Sequence, residues 1–311
     1  MMFTLFGDYI MHRGGEIWVG SLIEIAGQFG LSQQAVRSAL SRMSQHGWLK
    51  VRRVGNRSYY GATTRTKRLL EEGEARIFAQ KPEAWDHHWR VLVYSIPERK
   101  REVRTELRKQ LAWLGYGPLS SGSWISPHAV VDDVTQLIDT LGVASYVETF
   151  TASHEGTSTD RELAGRCWDL EGLDRRYEAF LSKYRPLLSD LRKREEVTPS
   201  ECFVQRFLLI HEYRKFFFID PELPEELLPD EWHGSEARAL FHEIHALLAD
   251  RANQYFDSVF EGPPTRRKRA TAEQGLSLSL SHSARLPELE EPLAAHLLSE
   301  RDMKGDGPIW Q

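Results

Sequence analysis

The sequence predicts an α+β protein in which helices and short strands alternate to about residue 155, and helices alone follow to residue 261. Three observations lead there. Apolar residues recur at helical spacing in several segments, and short β-branched or aromatic runs bounded by Gly and Pro lie between the first of them. Of 311 residues, 41% are hydrophobic and 27% charged, enough for two or three globular domains with real cores. No apolar run reaches the ~18 residues that a membrane-spanning helix needs. Cys167 and Cys202 show no CxxC spacing, which fits a reduced, cytoplasmic protein, and both read as packing residues. The opening "MMFTLFGDYIMHRGGE" lacks a basic start and a small-residue cleavage site and reads as folded structure.

Charge is divided unevenly. Residues 1–80 carry eleven Lys and Arg against six Asp and Glu, net +5, which leaves net −10 for residues 81–311 of a chain at net −5. Residues 31–70 hold nine basic residues and no acidic one. A basic block on an acidic protein marks a local site for a polyanion, because phosphates attract Lys and Arg and repel carboxylates.

The first domain is expected over residues 1–80. Ser21-Leu22-Ile23-Glu24 has the form of a capping box, followed by an apolar face at Leu22, Ile25, Ala26 and Phe29. Gly30 suits the helix end and Ser32 the cap of the next helix, so two helices meet across a short Gly-containing turn. In the second helix Val36, Ala39, Leu40 and Met43 form the buried stripe. Gln33, Gln34, Arg37, Ser38, Ser41 and Arg42 are left outside, residue types whose donors and acceptors match base edges. "WLKVRRV" and "RSYYGAT" then read as two strands around Gly55-Asn56, a basic hairpin carrying Arg52, Arg53, Asn56 and Arg57. A helix-turn-helix followed by such a hairpin is a winged helix. Its acid-free face predicts binding to double-stranded DNA through Ser32, Gln33, Gln34, Arg37, Ser38, Ser41, Arg42, Arg52, Arg53, Asn56 and Arg57.

The segment "SQQAVRSALSRMSQHGWL" resembles the signature of the PaaX family, bacterial repressors of phenylacetic acid catabolic operons. The resemblance continues through "WRVLVYSIPERKREVRTELRKQLAWLGYGPLSSGSWISP", "RYEAFLSKYRPLL" and "FLLIHEYRKFFFIDPELPEELLP", and covers about Phe3 to Phe260. It implies a winged helix, a ferredoxin-like middle and a helical C-terminal domain. It also implies a homodimer on a palindromic operator, released by an aryl-CoA thioester, typically phenylacetyl-CoA, with no cofactor and no enzymatic activity.

The middle domain is expected over residues 88–155. "WRVLVYSI" reads as a buried strand ended by Pro97. Val103, Leu107, Leu111 and Leu114 mark an amphipathic helix, and "GPLSSGSWISP", "VDDVTQLIDTLG" and "VASYVETF" supply short strands, a helix and a strand. This β-α-β-β-α-β order is ferredoxin-like. It also resembles the small nuclease subunit of CRISPR adaptation complexes, whose metal-binding Asp ends the first strand, where this chain has Ser95. That departure weighs against a metal-dependent nuclease; an architectural DNA binder without a ligand is the other alternative. The basic run from Arg99 to Lys109 is interleaved with Glu98, Glu102 and Glu106 and reads as a solvated helix face.

From residue 160 to 261 the chain reads as helical, with stripes at Tyr177, Phe180, Leu181, Tyr184 and Leu188, at Phe203, Phe207, Ile210, Tyr213 and Phe217, and at Ala239, Phe241, Ile244, Leu248 and Tyr255. An aryl thioester needs an apolar slot and cations for its phosphates. His211 and Arg214, three apart in "HEYRK", are candidates for it, with Trp113, Tyr116 and Trp124; pairing with local acids is the alternative. No metal site is expected: "FHEIH" spaces its histidines i,i+3 where zinc proteases need i,i+4. Residues 262–311, with the basic cluster Arg266 to Arg269, lack a sustained period and read as a disordered tail.

Overall fold

A computed structural model describes residues 1–78, 84–193 and 196–264. The expected tail lies outside the described residues from 265 onward. The described chain mixes helices with two small antiparallel sheets and is helical in its C-terminal part. It divides into two compact units, one of residues 1–76, 194–212 and 244 onward, the other of residues 77–193 and 213–243.

The first unit begins with α1 (Met2–Leu5), continued by a π turn at Phe6–Ile10 and a 3-10 turn at Met11–Arg13. Phe6, Tyr9 and Ile10 are buried, so the start of the chain is core. Then come β1 (Glu16–Trp18), α2 (Val19–Gly27), α3 (Gln33–Gln45), β2 (Leu49–Val54), β3 (Arg57–Ala62) and α4 (Thr64–Ile77). The three strands lie in the order β1-β3-β2. Periodicity did not suggest α1, β1 or α4, each being short, interrupted or strongly charged. The capping box expected at Ser21 is absent. Helix α2 starts two residues earlier with no side-chain cap, and the Ser21 hydroxyl instead accepts a hydrogen bond from the Glu261 backbone N–H at 3.1 Å. Rings from both ends of the chain share the core: Tyr9 stacks on Phe256 at 4.8 Å and meets Phe203 edge-on at 5.1 Å, and Phe29 lies 4.6 Å from Phe207. Each such pair adds roughly 0.5–1.5 kcal/mol beyond its buried area.

In the second unit β4 (Trp89–Tyr94), α5 (Arg101–Trp113), β5 (Gly117–Ser120), β6 (Ser123–Ser126), α6 (Val131–Leu141) and β7 (Val147–Ala152) follow the β-α-β-β-α-β order. The sheet runs β5-β6-β4-β7, with Leu92 opposite both Trp124 and Thr149. On one face Trp89 and Ile125 pack with Leu163, Ala164 and Cys167 of α7 (Asp160–Cys167) and with Leu223 and Leu227. On the other, Leu92 and Trp124 are buried, as are Leu107 and Leu111 of α5 and Val134 and Leu137 of α6. The stretch "GTSTD" ends in a capping box, Thr159 with Glu162, which starts α7.

Helices α8 (Leu170–Lys193), α9 (Pro199–Tyr213) and α10 (Gly234–Val259) complete the chain. The α8 stripe is buried as its spacing predicts. On α10, Ala239 is exposed, and Ala237 and Leu240 take its place on the buried face. The second unit gathers its own rings: Tyr177 stacks on Phe216, and Tyr213 on Phe241, each at 4.0 Å.

Candidate nucleic-acid interface

Helix α3 starts where Ser32, in extended backbone, accepts a hydrogen bond from the Ala35 N–H at 3.2 Å. Gly30, at φ +71°, supplies the left-handed turn that lets α2 end and α3 begin within a few residues. Val36 and Leu40 are buried against the unit, and Ser32, Gln33, Gln34, Arg37, Ser38, Ser41 and Arg42 are all exposed. The polar face read from the sequence is therefore an outer face. With its amide oriented to accept, the Gln33 carbonyl takes hydrogen bonds from Nε and Nη2 of Arg37, both at 3.1 Å, which stiffens the first turn.

The hairpin β2–β3 turns at Gly55-Asn56, with Gly55 at φ +57° and Asn56 at negative φ, the pattern of a II′ turn. Arg52, Arg53, Asn56 and Arg57 are exposed. Two of these arginines meet carboxylates that lie outside the acid-free segment. Arg52 Nη2 is 2.7 Å from Glu16 Oε2, with Lys50 Nζ 3.4 Å from the same carboxylate. Arg57 pairs with Glu261 and lies over the Trp18 ring at 4.4 Å. The Tyr59 hydroxyl and the Glu261 carboxylate hold its proton above the ordinary arginine value. Arg42 and Arg53 make no ion pair among the described residues. Glu16 is 36 residues from Arg52, and Glu261 is 204 residues from Arg57; no local signal points to either. Behind the hairpin, Arg65 lies over Trp48 at 4.3 Å.

The effector candidates are placed differently. His211 sits on α9 in the first unit, where its Nδ1 is 3.0 Å from the Thr4 hydroxyl. Helix α9 ends at Tyr213, so Arg214 stands past the helix and does not continue its face. Burial pushes its pKa down to about 10. Trp113 meets Phe217 edge-on at 4.9 Å. Tyr116 and Trp124 are buried: burial raises the Tyr116 pKa to about 12, and the Trp124 indole N–H finds no hydrogen-bond partner among the described residues. Arg214, Trp113, Tyr116 and Trp124 all belong to the second unit. His245, in the "FHEIH" segment, is 2.6 Å from Arg206 and 3.5 Å from Asp8, and no group of three His, Cys, Asp or Glu among the described residues is placed to hold a metal ion. No described helix is long and apolar enough to cross a membrane.

Comparison with known proteins defines the class first. Successive parts of the chain match the PaaX-like protein family (residues 1–66), the PaaX protein central Cas2-like domain (82–164) and the PaaX-like protein C-terminal domain (168–258). Over 253 residues the chain is 37% identical to a protein of Escherichia coli (strain K12) named transcriptional repressor PaaX, covering 80% of this chain and 79% of that one. The chain belongs to the PaaX family. Among solved structures, the uncharacterized protein Rv0674 from Mycobacterium tuberculosis is 26% identical and covers 77% of this chain and 89% of its own, with a TM-score of 0.48.

Proposed function

We propose that this protein is a cytoplasmic transcriptional repressor that binds operator DNA as a homodimer and is released by an aryl-CoA thioester, phenylacetyl-CoA first among candidates. The observation that carries this reading is the outer face of α3. Seven polar side chains from Ser32 to Arg42 stand exposed on it, and the sequence around them, residues 31–70, holds nine basic residues and no acidic one. Phosphates supply most of the affinity of such a face, and Gln and Arg donors read base edges. In this reading α2 and α3 with the β2–β3 hairpin act as a winged helix, α3 entering the major groove. The second unit's sheet, in the order β5-β6-β4-β7, acts as a ferredoxin-like scaffold. Release follows if the thioester binds better to the state whose reading heads do not match the operator, because a ligand shifts an equilibrium only by its differential affinity. His211, Arg214, Trp113, Tyr116 and Trp124 remain the candidate effector contacts.

An electrophoretic mobility shift with duplex from upstream of the chain's own gene tests this. A retarded band that dissolves with micromolar phenylacetyl-CoA, and not with phenylacetate or free CoA, is the expected result. No sequence-preferring shift at any salt concentration would remove the repressor reading, and a shift indifferent to all CoA thioesters would remove the effector.

A further inference from the structure

The hairpin carries its cations on two chemically different faces. Side chains along a strand alternate between faces, and cross-strand partners share one. Pairing of Glu16 with Gly61, Lys50 with Gly61, and both Trp18 and Arg52 with Tyr59 puts Glu16, Trp18, Lys50, Arg52, Arg57, Tyr59 and Gly61 on one side of the sheet. Pairing of Ile17 and Val51 with Tyr60, and of Arg53 with Ser58, puts Arg53 and Val51 on the other side, together with the buried Ile17, Leu49 and Ala62.

On the first side every wing arginine is already engaged by a carboxylate whose place in the fold is set. The Glu16 side chain is only 17% exposed, and it crosses the strand where Gly61 has no side chain: a Cβ there would come within 2.8 Å of Glu16 Cγ. Glu261 is held by its backbone. Its carbonyl accepts from the Trp18 N–H at 2.8 Å and its own N–H donates to Ser21. A phosphate approaching Arg52 meets both the guanidinium and the largely covered Glu16 carboxylate, and one approaching Arg57 meets the carboxylate of Glu261, whose backbone is tied down while its side chain is 48% exposed. On the second side Arg53 is exposed, Val51 is 45% exposed, and no carboxylate among the described residues pairs with Arg53.

We propose that the wing meets DNA through Arg53 and its face, whereas Arg52 and Arg57 are struts locked by Glu16 and Glu261, tying the hairpin to β1 and to the segment after α10. This rests on the DNA-binding reading above and narrows it to one cation of the wing. An arginine that already neutralises a fixed carboxylate releases few counterions from DNA when phosphate arrives, so it contributes little to the salt dependence of binding.

The test is the slope of log K against log [KCl], measured by fluorescence anisotropy with a labelled duplex of arbitrary sequence. Arg53→Ala is expected to lower the slope by about 1. Arg52→Ala and Arg57→Ala are expected to leave it unchanged and to lower the melting temperature; because the slope is read from folded protein, partial unfolding does not imitate the result. Arg57→Lys, which keeps the charge, should restore part of the melting temperature. The double variant Glu16→Gln with Glu261→Gln, which frees both guanidiniums, is expected to steepen the slope. A slope lowered by Arg52→Ala or Arg57→Ala, or left unchanged by the double variant, overturns the proposal while the DNA reading stands. A wild-type chain with no salt-dependent binding overturns both.

Discussion

Arg206 donates a hydrogen bond to Asp8 at 2.7 Å across 198 residues of chain, with side chains only 7% and 10% exposed. The same guanidinium reaches His245 Nε2 at 2.6 Å and lies over the Tyr9 ring at 5.2 Å. The contacts join the turn after α1 to α9 and α10, deep in the unit that carries the candidate interface. Desolvating two charges is costly, and their attraction offsets it only while both are present. Arg206→Ala therefore leaves Asp8 buried with only the His245 ring, 3.5 Å away, beside it, and should cost about 3–5 kcal/mol in urea unfolding. Replacing both, Arg206→Met with Asp8→Leu, should cost clearly less. Equal losses for the single and double variants would show that packing, not pairing, matters there.

Two glycines separate crowding from conformational freedom. A Cβ at Gly117, the first residue of β5, would lie 2.6 Å from Trp168 Cε2 and 2.9 Å from Cys167 Cβ. Gly117→Ala should destabilise by about 1–3 kcal/mol, the usual range for overpacking. Gly27, exposed on α2, has nothing within 4 Å of the same atom, so Gly27→Ala should stabilise by up to about 1 kcal/mol. Thermal or chemical denaturation of the two variants reads the contrast, and like signs would contradict it.

Arg37 stands on the outer face of α3, held by Gln33. If it reads a base edge, Arg37→Ala should lose roughly 1–3 kcal/mol of operator affinity, with relaxed preference at one base pair. Competition with single-base variants of the operator in a gel shift measures this. A uniform loss across all variants would assign Arg37 to the backbone instead.

His233 offers a pH signature unrelated to DNA. A hydrogen bond from its ring to Asp174, 2.9 Å away, raises its pKa above the ordinary 6.5. A pKa raised on folding stabilises the protonated side: the contribution is fully present below pH 6.5 and disappears as pH rises through the folded value. The stability difference between wild type and His233→Gln should therefore be largest in acid and shrink above neutrality. In NMR titration the His233 ring should show a midpoint above 6.5 that falls toward it in Asp174→Asn. A wild-type midpoint at or below 6.5 would contradict the pairing.

Much of the fold and of the outer face of α3 could be read locally. The Ser32 cap, the Gly30 turn, the buried pair Val36 and Leu40 and the Gly55-Asn56 hairpin all lie where spacing of a few residues puts them. Such signals travel within one helical turn or one strand pair, where backbone geometry alone relates the residues. The two carboxylates on the hairpin's arginines, the reassignment of Ser21 from helix cap to acceptor for Glu261, and the Asp8–Arg206 pair could not be read that way. Each joins segments far apart in the chain, and the acid-free composition of residues 31–70 says nothing about which anions return to that surface from elsewhere. The residue types on the candidate interface follow from local order, but which of its cations stay open to a phosphate follows from packing, because electrostatic partners are set by distance in space and not along the chain.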